Sequence, residues 1–151
     1  MDNIVIELLK EFSQEDTKAI ADLASKLGQH SKPFLDADMK EILDSTNTHI
    51  LVARDSDSKK VVAMITVSVY RIPYVKKSYL DDFVVDEEYR GKGIGSLLFE
   101  KALDFAREKG AAFADFTSNP KRIEGNKLYE KLGFKKRDTN VYRLTFEYGE
   151  K

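Results

Sequence analysis

Residues 79–103 read YLDDFVVDEEYRGKGIGSLLFEKAL. An apolar run gives way to three alternating glycines, Gly91, Gly93 and Gly95, and then to apolar residues at helical spacing. The pattern predicts a strand over residues 79–85, a turn, and a helix over residues 95–109 closed by Gly110. A strand that turns into a helix in this way gathers backbone N–H groups at one point. The first turn of a helix leaves its N–H groups without helical partners, and the macrodipole adds partial positive charge there. Phosphate binds well at such a place. Glycine lets the backbone approach an anion and adopt positive φ, and Arg90 and Lys92 add charge. A tight turn needing glycine for geometry alone is the plain alternative. Three glycines with two cations favour an anion site.

The spacing excludes two common nucleotide motifs. A phosphate loop of the Gly-x-x-x-x-Gly-Lys-Ser/Thr type does not occur. A Gly-x-Gly-x-x-Gly dinucleotide motif would need glycine at position 96 or 98, which hold Ser96 and Leu98.

Outward from this stretch the chain alternates strands and helices. Residues 3–7 read as an edge strand. Ser13 caps a helix carrying Ile20, Leu23, Ala24 and Leu27 on one face, ended by Gly28. A short helix follows over residues 36–43. Strands are expected at 48–54 and 60–70, joined by the turn DSDSKK, and later at 112–117 and 141–146, the last paired with residues 134–136 or a neighbour. Residues 124–132 form another short helix, closed by Gly133. The order implies an α/β chain in the mixed α+β sense, with a mixed sheet and helices on its faces.

Composition narrows the chemistry. A length of 151 residues suits one domain, taken as 1–151. With no cysteine, disulfides, thiolate zinc sites and cysteine nucleophiles are excluded. His30 and His49 are too few for a histidine metal site and read as ordinary polar residues, so no metal is expected. The acidic start MDNIVIELLKEF does not have the pattern of a signal peptide, and no apolar run is long enough to span a bilayer. The expected location is therefore the cytoplasm. Net charge is −1, which argues against a nucleic-acid partner. Charge is nevertheless uneven: residues 1–58 hold six Lys/Arg and twelve Asp/Glu, whereas residues 121–151 hold nine and five. An RNA- or DNA-binding domain using this basic final third ranks low, because aromatic and basic residues do not alternate on one strand there.

RGKGIG fits the Arg/Gln-x-x-Gly-x-Gly/Ala pyrophosphate loop of the GNAT superfamily of acyl-CoA-dependent N-acetyltransferases, and the flanking strand and helix resemble the family's. SNPKRIEGNKLYEKLGF, residues 118–134, resembles its second signature, Asn-x-x-Tyr-Glu-Lys-Leu-Gly-Phe. The likeness is close over residues 79–134 and loose elsewhere. Ala63 stands where many members have glycine.

The resemblance implies a central, mostly antiparallel, splayed sheet flanked by helices on both faces. Backbone N–H groups of Arg90, Gly91, Lys92, Gly93, Ile94, Gly95 and Ser96 would hold the pyrophosphate of acetyl-CoA, the co-substrate. The backbone of Phe83, Val84 and Val85 would pair with the pantetheine arm as an added strand. Val85 N–H would polarise the thioester carbonyl. Asn126 would bond the arm, and Tyr129 would protonate the leaving thiolate. Lys121, Arg122 or Lys127 would meet the nucleotide phosphates. The plain alternative for Tyr129 is a core aromatic on an amphipathic helix.

The implied reaction is acetyl transfer to a primary amine, either a small cationic amine or a protein lysine or N-terminus, by direct attack in a ternary complex. The amine arrives protonated, and Asp81 or Asp82 could accept its proton. Regular alternation puts Asp81 on the face of Phe83 and Val85, and Asp82 on the other. Both also suit a simple polar strand end, and the choice stays open. Family substrate choice points to residues 28–44 and 71–78. The first stretch carries Asp36, Asp38, Glu41 and Asp44, which suit a cationic acceptor, and Tyr70, Tyr74 and Tyr79 could line the amine site. The family is often dimeric, so a homodimer is among the expected assemblies. The competing reading is a non-catalytic GNAT-fold module that binds or senses acyl-CoA.

Overall fold

The computed structural model describes residues 3–28 and 32–146. His30, one of the two histidines, lies outside the described residues. The chain divides into two compact units, Met1–Ser118 and Asn119–Lys151.

The first unit is built on a sheet of five strands in the order β1–β2–β3–β4–β5: β1 Ile4–Leu8, β2 Thr48–Asp55, β3 Val61–Ile72, β4 Val75–Val85 and β5 Ala114–Asp115. The first four pair antiparallel, and β4 pairs parallel with β5. The parallel pair needs a crossover, supplied by helix α3, Ile94–Glu108. Helices α1, Gln14–Ser25, and α2, Asp36–Asp44, fill the connection between β1 and β2.

Alternation along the strands sorts the core into two layers. On one face Ile50, Val52, Met64 and Val84 pack with Ile20 and Leu23 of α1 and Met39 of α2. On the other, α3 buries Ile94, Leu98, Phe99, Ala102 and Ala106. Phe99 meets Phe83 and Phe116 edge-on at 5.0 and 5.6 Å, and Phe105 meets His49 at 4.9 Å. These are favourable aromatic arrangements. His49 is thus half-buried, with its ring against Phe105 of α3.

Arg54 joins three elements. Its Nε donates to Glu7 of β1 at 2.6 Å, and its two terminal nitrogens grip Asp16 of α1 at 2.9 and 2.8 Å. A guanidinium fork on a carboxylate is the strong form of such a pair. The Ser13 cap of α1 is present, with Asp16 N–H donating to Ser13 Oγ at 3.2 Å. The helix closes at Ser25, three residues before Gly28.

Three sequence expectations are corrected. Strand β4 begins at Val75 rather than Tyr79, because Val75–Ser78 pairs with Val69–Ile72 and leaves only Pro73 and Tyr74 in the hairpin turn. The lysines at 76 and 77 disguised a strand whose edge they occupy. Strand β5 covers two residues rather than 112–117. No strand forms over residues 141–146 or 134–136, and Val141, Tyr142, Leu144 and Phe146 are exposed. Apolar alternation marks a face that could be buried, but a strand also needs a partner ladder, and none is present among the described residues.

Among its described residues the second unit contains one helix, α4, Ile123–Lys131. Gly133, at φ +91°, donates its N–H to Glu130 O, and Phe134 N–H reaches Tyr129 O, which closes the helix.

Candidate functional site

The upper half of β4 departs from regular pairing. Met64 faces Val84 and Thr66 faces Asp81, so Asp82 and Phe83 together oppose Ile65. This is a β-bulge, and its extra residue bends the strand. Asp82 absorbs the distortion at φ +53°, a left-handed conformation that aspartate tolerates better than most residues.

The bulge overturns the expected facing of the two acids. Directly paired residues share a face, so Asp81 sides with Thr66 and Ile50, towards α1 and α2. Phe83 meets Phe99 of α3 on the other side, and Val85 lies against Gly95 of the same helix. Asp81 therefore does not share a face with Phe83 and Val85. Solvent reaches Asp81, yet desolvation by its surroundings, and secondarily the Asp82 charge, raises its carboxyl above the ordinary value.

Among the described residues the outer edge of β4 pairs with β5 at Ser78 and Tyr79, against Ala114 and Asp115, and Lys76 O accepts the Ala112 N–H at 2.8 Å. Ser78 donates both its N–H and its buried hydroxyl to Phe113 O, at 2.9 and 3.0 Å. Lys77 Nζ reaches Asp115 at 3.4 Å. Past Tyr79 the edge has no strand beside it among the described residues. At its far end Asp86 N–H bonds Val62 O on the β3 side, so by alternation Val85 turns its N–H and C=O to the open side.

Beyond β4 a single 3-10 turn, Glu87–Tyr89, leads into the glycines. Gly91 and Gly93 take φ +74° and +79°, and Gly93 caps α3. Successive N–H groups in such a turn form an anion-binding concavity. The first i→i−4 bond of α3 is Leu97 N–H to Gly93 O, so the N–H groups of Ile94, Gly95 and Ser96 belong to the donor-rich first turn. Gly95 has a different role. A Cβ there would stand 3.2 Å from the Phe83 ring and 3.4 Å from Val85, so its glycine serves helix-on-strand packing. The Ile94 side chain is buried, and only its backbone is available to a ligand.

The two loop cations are folded onto the loop itself. Arg90 Nε donates to Val85 O at 3.0 Å, and Lys92 Nζ donates to Glu88 O at 3.0 Å while lying 5.0 Å from the Tyr89 ring centre. Neither contact is readable from the sequence, because both depend on how the turn coils.

In the second unit Asn126 and Tyr129 sit one turn apart on α4. Asn126 Nδ2 donates to Asn119 O at 3.0 Å. Tyr129 is buried, and its hydroxyl reaches back over Gly125, where a Cβ would lie 3.5 Å from it. Lys127 pairs with Glu124 at 3.3 Å. Of the four acids on α2, Asp38 accepts from Leu35 N–H and Asp36 from Gln14, which assigns two of them to helix-end roles. Among the described residues no group of three or more His, Asp or Glu side chains is placed to hold a metal ion, and no helix is long and apolar enough to cross a membrane.

A family model described as the acetyltransferase (GNAT) family matches residues 10–134. The chain belongs to that family. An N-acetyltransferase of Methanocaldococcus jannaschii is 27% identical over 59 residues, which are 39% of this chain and 26% of that protein. Human N-acetyltransferase 8B is 32% identical over 69 residues, 46% of this chain and 30% of the human one. The matched stretches thus span less than a third of either curated relative. An aminoglycoside acetyltransferase from an uncultured soil metagenomic sample superimposes with a TM-score of 0.82 at 20% identity, covering 96% of this chain and 98% of that one. The mixed, mostly antiparallel five-stranded sheet with four helices is the GNAT fold.

Proposed function

We propose that this chain is an N-acetyltransferase that moves an acetyl group from acetyl-CoA to a primary amine, and that residues 1–151 act as one catalytic domain. One observation carries the reading. Among the described residues β4 has no strand beside it past Tyr79, and it leads through one 3-10 turn into a positive-φ glycine turn at the start of α3. An extended, amide-bearing arm ending in a pyrophosphate is the ligand that such an edge and such a loop together suit.

When bound, acetyl-CoA would supply the activated thioester. Val85 offers its C=O to a pantetheine amide N–H, and its own N–H is the oxyanion donor at the thioester carbonyl. Gly91 to Ser96 hold the phosphates through backbone N–H groups. Arg90 leaves Val85 O to meet a phosphate. Asn126 has its amide nitrogen engaged, so its carbonyl oxygen accepts from an arm N–H. Asp81 is the preferred base, because its raised carboxyl pKa suits proton uptake from an ammonium better than that of an ordinary aspartate. Tyr129 keeps the proton-donor role on the strength of its motif. Glu41 and Asp44, exposed on α2, favour a cationic acceptor.

Calorimetric titration with acetyl-CoA, beside Gly93→Glu, tests the cofactor reading. Binding by the wild type and its loss in the variant support it, whereas no binding by folded wild-type protein defeats it. A thiol-release screen over polyamines, aminoglycosides and lysine peptides then tests transfer. Binding without turnover on any amine would favour the sensing module.

A further inference from the structure

The turn that delivers the glycine loop is braced from outside. Glu87–Tyr89 is one 3-10 turn, with too few internal bonds to fix its own direction. At its start Asp86 accepts the Glu88 N–H at 3.2 Å on one oxygen and meets Lys60 at 3.3 Å and Lys26 at 3.6 Å on the other. At its end the Tyr89 hydroxyl donates to Asp55 Oδ2 at 2.9 Å. The second oxygen of Asp55 accepts the N–H groups of Asp57 and Ser58 at 2.9 and 3.3 Å. Asp55 and Lys60 are themselves joined by the N–H to C=O bond that closes the β2–β3 hairpin at 3.0 Å. The two feet of one hairpin therefore grip the two ends of the turn.

We propose that Tyr89 and Asp55 are positioning residues for the phosphate loop: their hydrogen bond fixes the direction in which Arg90–Ser96 presents its N–H groups. The inference rests on the acetyltransferase reading. Tyr89 is the last residue before Arg90, so a swing of its ring displaces the donor cluster at once. It also carries Lys92 on its face. A hydroxyl bonded to a carboxylate lowers the acid and raises the phenol, and both shifts are found here. The predicted effect falls on phosphate binding and leaves the chemical step intact.

The test is titration with coenzyme A of the wild type, Tyr89→Phe, Asp55→Ala, Asp55→Asn and the Tyr89→Phe/Asp55→Ala double variant, with thermal unfolding of each. Tyr89→Phe keeps the ring and the Lys92 contact and removes only the bond. The expected result is an affinity loss of about tenfold for Tyr89→Phe and for Asp55→Ala, and no further loss in the double variant. Asp55→Asn should restore affinity, because its carboxamide oxygen still accepts the Asp57 and Ser58 N–H groups while its NH2 donates to the Tyr89 hydroxyl oxygen. Once an acceptor amine is in hand, KM for acetyl-CoA should rise with kcat unchanged. Unchanged affinity in Tyr89→Phe overturns the inference, as does a loss in Asp55→Asn equal to that in Asp55→Ala. A wild type that binds no coenzyme A defeats the acetyltransferase reading itself, a separate failure.

Discussion

The two halves of β4 are the same strand with opposite fates. Its lower half is closed on both sides, by β3 and by the short β5, and sealed by a buried serine hydroxyl and the Lys77–Asp115 pair. Its upper half keeps β3, has no strand on the other edge among the described residues, and carries an extra residue at Asp82. Strand propensity does not separate them, since both mix apolar and polar residues. What separates them is one small hydroxyl that matches a carbonyl at the closed end and one left-handed residue that turns the open end away. An unpaired edge is normally a liability in a soluble fold. Here it adjoins a loop of backbone donors, and the proposed acetyl-CoA site would give that open edge a use.

The largest expected effect would break this contrast at the open half. Gly93→Glu places a side chain and a negative charge at a left-handed position among the loop donors. Acetyl-CoA affinity should fall about a hundredfold, or ~2.7 kcal/mol, while the unfolding free energy drops by only about 1 kcal/mol. Calorimetry and urea denaturation separate the two. The closed half should show the reverse. Ser78→Val leaves the Phe113 carbonyl with one donor fewer in a dry site and should cost about 2 kcal/mol of stability; cofactor affinity unchanged in the still-folded variant would confirm that closing and binding belong to different ends. Next comes the bulge. Asp82→Val should destabilise by about 1.5 kcal/mol through its backbone conformation, whereas Asp82→Gly should not, and equal stabilities in chemical denaturation would contradict the strain at this residue.

The smallest effect is in pH dependence. Asp81 accepts a proton only when ionised, so the rate should fall as pH drops through its raised pKa, above the ordinary 3.8. Asp82→Asn removes the secondary cause and should move this acid limb of kcat/KM to lower pH. Asp81→Asn should abolish it. A limb unaffected by either change would remove Asp81 from the role of base.

Much of the frame was legible because it follows local rules. The Ser13 cap, the amphipathic face of α1 and the glycine turn before α3 each depend on neighbours in sequence, and the structure has them where the sequence puts them. The failures share a cause too. Whether residues 141–146 pair, how far β5 extends and where β4 begins are matters of which edge meets which, and periodicity carries no such information. The bulge was hidden because its left-handed residue is aspartate, where glycine would have announced it. The hydrogen bond from Tyr89 to Asp55 spans 34 residues and has no local signal except the position of Tyr89 beside Arg90.

The extra residue at Asp82 also says something about chain length. β4 spends one residue more than β3 to cover the same stretch, so the strand is in effect already lengthened by an insertion. Deleting Asp82 would leave Phe83 alone opposite Ile65, keep Asp81 opposite Thr66 and so close the ladder. Such a chain should fold with an ordinary strand and lose its outward bend. A single-residue deletion, usually the most disruptive change in a sheet, would here act as a repair of the strand and as damage to whatever the bend was made to hold.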